Sequence, residues 1–208
     1  MAKNKLNILV VFYSMTGNVA KLAKEVANGA GSVPNTDVKI RQVDELIPKD
    51  KFNDVMKKVK EEIKDIPIAT IEDLEWADGI AFGTPTRFGN MSSQMKNFID
   101  KTGGLWQKGA LINKVAGVFT STSTQHGGQE TTIITSMVPL LHHGMILLGV
   151  PYSEQALFSI DPVSGGSPYG ASSVSGPMAD RSPTENDLAI ARALGKRIAE
   201  TSKKIAGK

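Results

Sequence analysis

Short, nearly unbroken apolar runs at residues 6–13, 79–83, 115–120 and 145–150 have the pattern of parallel strands covered on both faces. A weaker strand is predicted at 38–43, where Val38, Ile40 and Gln42 alternate with Lys39, Arg41 and Val43. Helical spacing fills the gaps. Val19, Leu22, Ala23, Val26, Ala27 and Ala30 form one apolar stripe. Met95, Phe98, Ile99 and Thr102 repeat that spacing, and Ile133, Ile134, Met137, Val138 and Leu141 do so less cleanly. The last helix opens on Ser182-Pro183-Thr184-Glu185, a capping box with proline at the first helical position, and its stripe runs Leu188, Ala191, Gly195, Ile198, Ser202, Ile205. Strands alternating with helices predict an α/β fold, a doubly wound five-stranded parallel sheet with helices on both faces, because each parallel pair needs a crossover.

Two segments exceed this minimum. Residues 49–66 are charge-rich, with Lys57, Lys58, Lys60, Glu61, Glu62 and Lys64, and are expected to form an exposed helical insertion. Residues 159–183 hold seven Ser, four Gly and four Pro, and no charge lies between Asp161 and Asp180. Val163, Tyr169, Val174 and Met178 favour an ordered insertion that packs on something, such as a neighbouring subunit, over a floppy linker. The chain of 208 residues is therefore expected to be one domain spanning 1–208 with two additions.

Composition narrows the chemistry. The absence of cysteine removes disulfide scaffolds, Cys-ligated zinc or iron–sulfur centres and thiol catalysis, so a redox role must rest on a bound cofactor. The net charge of +3 is local, because residues 192–208 carry six bases and one acid while the rest is slightly acidic. Nucleic-acid binding is not expected. Apolar runs are far shorter than a membrane span, and Met1-Ala-Lys-Asn-Lys leads directly towards a strand without a signal-peptide pattern. A cytoplasmic protein is the expectation.

In an open α/β sheet, ligands bind beyond the carboxyl ends of the strands. The loop Ser14-Met15-Thr16-Gly17-Asn18-Val19 offers hydroxyls and a glycine opening a helix, whose N-terminal amides suit a phosphate. The next strand-end loop, Thr84-Pro85-Thr86-Arg87-Phe88-Gly89-Asn90-Met91-Ser92, holds an arginine and a phenylalanine between a proline and a glycine. Ser121-Thr122-Ser123-Thr124-Gln125-His126-Gly127-Gly128 offers hydroxyls and amides without an acid–base pair. Each loop alone would pass as a capping turn or polar connector; three on one sheet edge point to a ligand.

Other motifs are absent: there is no Gly-x-Gly-x-x-Gly after the first strand, no P-loop lysine and no Gly-x-Ser-x-Gly elbow. Adjacent His142 and His143 have the wrong spacing for joint metal ligation, and no metal site is expected. Tyr13 and Ser14 stand where a phosphoacceptor receiver domain would carry acids. What remains is a phosphate-bearing ligand with a large planar group.

The segments Tyr13-Ser14-Met15, Phe82-Gly83-Thr84-Pro85-Thr86-Arg87-Phe88-Gly89-Asn90-Met91, Thr102-Gly103-Gly104-Leu105-Trp106, Gly127-Gly128-Gln129-Glu130, His142-His143-Gly144-Met145 and Gly166-Ser167-Pro168-Tyr169-Gly170-Ala171 resemble the WrbA-type NAD(P)H:quinone oxidoreductases of the flavodoxin-like superfamily. The resemblance implies strand order 2-1-3-4-5, non-covalent FMN, two-electron reduction of quinones by NADH or NADPH, a homotetramer built from dimers and a protective role under oxidative stress. It implies that residues 14–19 hold the FMN phosphate, that Thr86, Arg87 and Phe88 flank the isoalloxazine, and that Pro85, Gly89 and Asn90 also bind the cofactor. Residues Ser121, Thr122, Ser123, Thr124, Gln125, His126 and Gly127 would line its other edge.

Trp106 would roof a pocket shared in turn by nicotinamide and quinone, with Thr16 also facing substrate. His142 would reach the flavin from a neighbouring helix and help supply a proton in a ping-pong hydride cycle. Two positions depart from the family pattern. Relatives often carry an aromatic where Thr16 stands, so stacking is not expected there, and the 121–128 loop is one residue longer, with Gln125 and His126. A flavodoxin-type single-electron carrier is the alternative, but such carriers tend to be acidic and lack the uncharged insertion. Nothing in the sequence supports a regulatory contact with DNA or a repressor.

Overall fold

In the computed structural model, which describes residues 5–161 and 163–208, the apolar runs become parallel strands β1 (Leu6–Phe12), β2 (Thr36–Gln42), β3 (Gly79–Pro85) and β4 (Val115–Thr122). They pair in the order β2-β1-β3-β4, with Val10 opposite both Ile40 and Ala81, and Ala81 opposite Gly117. Every residue of β3 and β4 is buried. The N-terminal stretch 1–4 and Pro162 of the 159–183 segment lie outside the described residues.

The fifth strand position departs from the expected single strand at 145–150. It is filled by two short strands against β4, β5 (Ile146–Leu148) facing Val115 to Gly117 and β6 (Ala171–Val174) facing Phe119 to Thr122. The chain leaves the sheet between them and returns. Sequence pattern misses β6, Ala-Ser-Ser-Val, because half of it is polar; its hydroxyls are satisfied inside the fold, Ser172 with Gln129 and Ser173 with Ser121.

Two helix layers cover the sheet. Helices α1 (Asn18–Gly31) and, further along, the C-terminal helix (Glu185–Ala206) share one face with Leu6, Ile8, Val10 and Phe12; the other face holds Leu9, Val11, Ile80, Phe82 and Val118. Between the strands lie α2 (Asp54–Glu62), α3 (Ile71–Trp76), α4 (Ser93–Asp100), α5 (Gly103–Gln107) and α6 (Gln129–His142), so the C-terminal helix is α7. Within 49–66, Met56, Val59 and Ile63 are buried and the lysines other than Lys60 face outward. Among the described residues no helix is long and apolar enough to cross a membrane.

Two expectations for helices need correction. The capping box of α7 is Thr184 with Asp187, not Ser182 with Glu185: Thr184 Oγ1 accepts from Asp187 N, and Asp187 Oδ2 accepts from Thr184 N. Asp187 also accepts from Gly165 N at 2.7 Å, a tertiary contact that selects this box over its neighbour in sequence. In α6 the buried positions are Gln129, Thr132, Ile133, Ser136 and Leu140, while Ile134, Val138 and Leu141 of the expected stripe are exposed.

Glycines set the spacing of α1 and α7. A Cβ on Gly195 would lie 1.9 Å from the carbonyl oxygen of Val26, and one on Gly29 would lie 1.9 Å from that of Arg192. The obstructing atoms are backbone, so neither helix can relieve the clash by a side-chain rotation. Gly195→Ala is expected to destabilise the fold by about 1–3 kcal/mol despite the better helix propensity of alanine, as measured by urea unfolding.

Candidate functional site

The carboxyl ends of β1, β3 and β4 deliver three loops to one edge of the sheet. There they enclose a cavity of about 370 Å³ lined by Ser14, Met15, Thr16 and Val19, by Pro85, Thr86 and Arg87, and by Ser121, Thr122 and Ser123. A fourth segment, which sequence reasoning missed as part of the site, completes the wall with Ser175, Gly176, Pro177 and Ala179. It is a tight loop after β6, closed by Arg181 N donating to Ser175 O and braced by Arg181 bonds to the carbonyls of Val174 and Val163. Its only sequence signal is Ser-Gly-Pro after an apolar residue.

The first loop is built around Ser14. Its buried Oγ accepts from the amides of Gly17 and Ala20, doing the capping that Gly17, at φ 98°, has no side chain to do. Asn18, at the start of α1, keeps a buried amide nitrogen without a partner among the described residues. A helix N-terminus favours negative charge, and a buried orphan donor favours an acceptor.

The second loop is held from two sides. Thr84 Oγ1 accepts from Ser92 N, and Ser92 caps α4 through Met95 N. From α6, Thr132 Oγ1 donates to Thr86 Oγ1 at 2.7 Å and Thr135 Oγ1 donates to Gly89 O at 2.8 Å. Between these anchors Arg87 and Asn90 bond each other's backbones, which leaves Phe88 at φ 54° and fully exposed. Arg87 donates to Thr86 O and Met15 Sδ and has no carboxylate partner among the described residues. No carboxylate lines the cavity either.

Thr124, Gln125 and His126 sit on the exposed tip of the third loop, with Gly127 beside them and Gln129 Nε2 tied to Gln125 O. Gly17, Asn18, Phe88, Gly89, Asn90 and residues 124–127 border the cavity in sequence without lining it. Among the described residues no group of His, Asp and Glu could hold a metal ion.

Behind the first loop, Tyr13 is buried and donates to Glu45 at 3.0 and 3.1 Å. Gln94 Nε2 donates to both, and Lys60 Nζ lies 2.7 Å from Glu45. Burial, with Glu45 next, pushes the Tyr13 hydroxyl well above its ordinary pKa, so it stays a donor. Burial alone would raise the Glu45 carboxyl, but hydrogen bonds from Lys60, Ile47 N and Gln94 hold it below the ordinary range.

Trp106 and His142 are brought together, but not into this cavity. They line a second one of about 630 Å³ between α4, α5 and α6, with Asn90, Met91, Ile99, Val138 and His143. Asn90 and Met91 close the turn after β3, so the two cavities flank that turn. Thr102 organises the second: its carbonyl accepts from Leu105 and Trp106, and its Oγ1 donates to Ile99 O at 2.6 Å. With that proton committed, the 2.8 Å contact to His143 is a donation from His143 Nε2, and Nδ1 is left buried without a partner.

Burial first, and His142 second, lower the His143 pKa below 6.5. The unfolded chain therefore binds the extra proton more readily, and stability falls as pH drops from about 6.5 towards the lowered folded value. His143→Gln keeps a donor for Thr102 and removes the titration. The wild-type advantage over this variant is expected to shrink between pH 7.5 and pH 5, measured by urea unfolding at each pH.

Residues 7–155 match the family described as NADPH-dependent FMN reductase. The chain is 47% identical over 207 residues to an NAD(P)H dehydrogenase (quinone) of Geobacter sulfurreducens, covering 97% of this chain and all of that protein. It is 50% identical over 199 residues to the protein of that name from Trichlorobacter lovleyi, covering 95% and 98%. A flavodoxin, WrbA-like protein from Agrobacterium tumefaciens superposes with a TM-score of 0.63 at 24% identity, covering 96% of this chain and 99% of that one, which shows the flavodoxin-like fold. With a family match across most of the chain and near-half identity along almost all of it, this protein belongs to the NADPH-dependent FMN reductase family, among its NAD(P)H:quinone oxidoreductases.

Proposed function

We propose that the chain is a cytoplasmic, FMN-dependent NAD(P)H:quinone oxidoreductase. The observation that carries this is the 370 Å³ cavity at the start of α1, lined by hydroxyls and Arg87 and by no carboxylate. Such a donor set fits a phosphate and a polyol chain, and the unpartnered Asn18 amide nitrogen supplies one donor more. Ser14, Thr16 and the first turn of α1 would hold the phosphate, and Thr86, Arg87 and the 121–127 loop the ring.

When bound, FMN supplies the capacity to accept a hydride from NAD(P)H and to reduce a quinone by two electrons. The protein's own tasks are placement and charge. Thr132 and Thr135 fix the 86–90 turn, so the Arg87 guanidinium is held to stabilise negative charge on a planar ligand. Thr102 and His143 hold the α5 turn that presents Trp106 beside His142, giving an aromatic wall and an imidazole in one cavity. Nicotinamide and quinone would meet the flavin ring in turn, so initial-rate plots are expected to be parallel.

Exposed Ile134, Val138 and Leu141 lie on α6, where Val138 lines the same cavity as Trp106, an apolar face suited to another copy of the chain in a homotetramer. Exposed Tyr152, Phe158 and Ile160 in the segment after β5 offer a second such face. Val138→Asp is expected to lower the mass measured by light scattering to that of a smaller assembly. An unchanged mass counts against this face.

The activity itself is tested on the purified protein reconstituted with FMN under anaerobic conditions. Adding NADH or NADPH is expected to bleach the visible absorbance, and benzoquinone to restore it; failure of both nucleotides to bleach it overturns the reading.

A further inference from the structure

The lysine-rich segment 49–66 has no part in the function proposed above, yet it packs against the loop assigned to phosphate. A Cβ on Gly17 would come within 3.3 Å of Val59 Cγ2 in α2. The next residue, Lys60, differs from the other lysines of that segment. Lys57 and Lys64 pair on open surface with side chains 63% and 57% exposed, whereas the Lys60 side chain is 18% exposed. Its Nζ lies 2.7 Å from Glu45 Oε2 and 4.8 Å above the ring of Tyr13, the residue immediately before Ser14.

Glu45 is enclosed to the same degree, with Tyr13, Gln94 and the amides of Leu46 and Ile47 donating to it. Those four donors are neutral. They stabilise the carboxylate without cancelling its field, and only Lys60 cancels it.

We propose that Lys60 determines specificity for phosphorylated flavin: by neutralising Glu45 behind residues 14–19, it leaves the phosphate facing no uncompensated carboxylate from that side. The inference rests on the FMN assignment and deepens it. A phosphate monoester carries about −1.5 to −2 charges near neutral pH, so it senses the change of the enclosed pair from neutral to −1 when the lysine is lost. Riboflavin has the same ring and no phosphate, and does not.

The sign of the effect reverses with the partner. Glu45→Gln leaves the Lys60 charge unopposed and favours the phosphate, and removing both charges restores the balance. A brace that only packs would instead be weakened by either substitution, and for both flavins alike.

The test titrates the flavin-free full-length chain with FMN and with riboflavin, following flavin fluorescence. Wild type comes first, and its failure to bind FMN overturns both the functional assignment and this inference. Given binding, Lys60→Met is expected to weaken FMN about five- to tenfold and riboflavin by less than about twofold, with the difference shrinking as salt is raised. Lys60→Arg keeps wild-type FMN affinity, Glu45→Gln binds FMN at least as tightly, and the double variant Glu45→Gln/Lys60→Met returns close to wild type. Unchanged FMN affinity in Lys60→Met, equal loss of both flavins, or weakening by Glu45→Gln overturns the proposal. Should Lys60→Met fail to fold, the Glu45→Gln arm decides alone.

Discussion

Complete burial of β3 and β4 is the constraint on which the rest of the molecule depends. Strands covered on both faces have no side chain free for solvent, so only their ends can carry chemistry. The ends are also where polar residues begin, and these must be satisfied before they can serve a ligand. Thr120 donates to Thr84 O at 2.6 Å, Ser173 to Ser121 at 3.1 Å and Ser175 to Thr122 O at 3.2 Å. An unmade buried hydrogen bond costs about 1–3 kcal/mol, so these pairs fix where the hydroxyls point. The cavity inherits its geometry from the demands of the core.

Helix α6 shows the same demand working outward. Its inner face sets Gln129, Thr132 and Ser136 beside Ile133 and Leu140, and Thr132 and Thr135 hold the 86–90 turn. Ile134, Val138 and Leu141 lie on the outside, with Val138 in the cavity that Trp106 also lines. In a helix that only packed on a sheet, the apolar stripe would face inward. Here the helix serves the loop on one side and presents an apolar surface on the other, so one element links the position of the site to the proposed association with another copy.

Legibility in the sequence followed the physics of each part. Continuous apolar runs identified β1, β3 and β4, and motif matches located the loops that line the first cavity, because both signals are local. Strand β6 was hidden since its Ser172 and Ser173 are satisfied by partners about 40 to 50 residues away. The α7 cap was misplaced by two residues because Ser182 and Thr184 both begin a capping-box pattern, and the deciding contact from Gly165 is tertiary. The 175–179 wall was hidden for the same reason. Trp106 and His142 were expected over the flavin, and their placement in a second cavity beyond the turn after β3 follows only from the fold.

Charge gives the clearest case of placement overriding composition. The net +3 arises from the final seventeen residues, where Arg192 is bound to Glu25 and Glu185 and Lys208 to Asp78. Those charges are spent within the fold. Arg87 is different: its guanidinium is held by a carbonyl and a thioether, neutral acceptors that orient it without neutralising it. A carboxylate in either position would have oriented the arginine equally well and cancelled the field an anion needs. The enclosed acid behind the first loop, Glu45, is instead matched by its own lysine, so the positive charge at the cavity survives the presence of an acid beneath the loop.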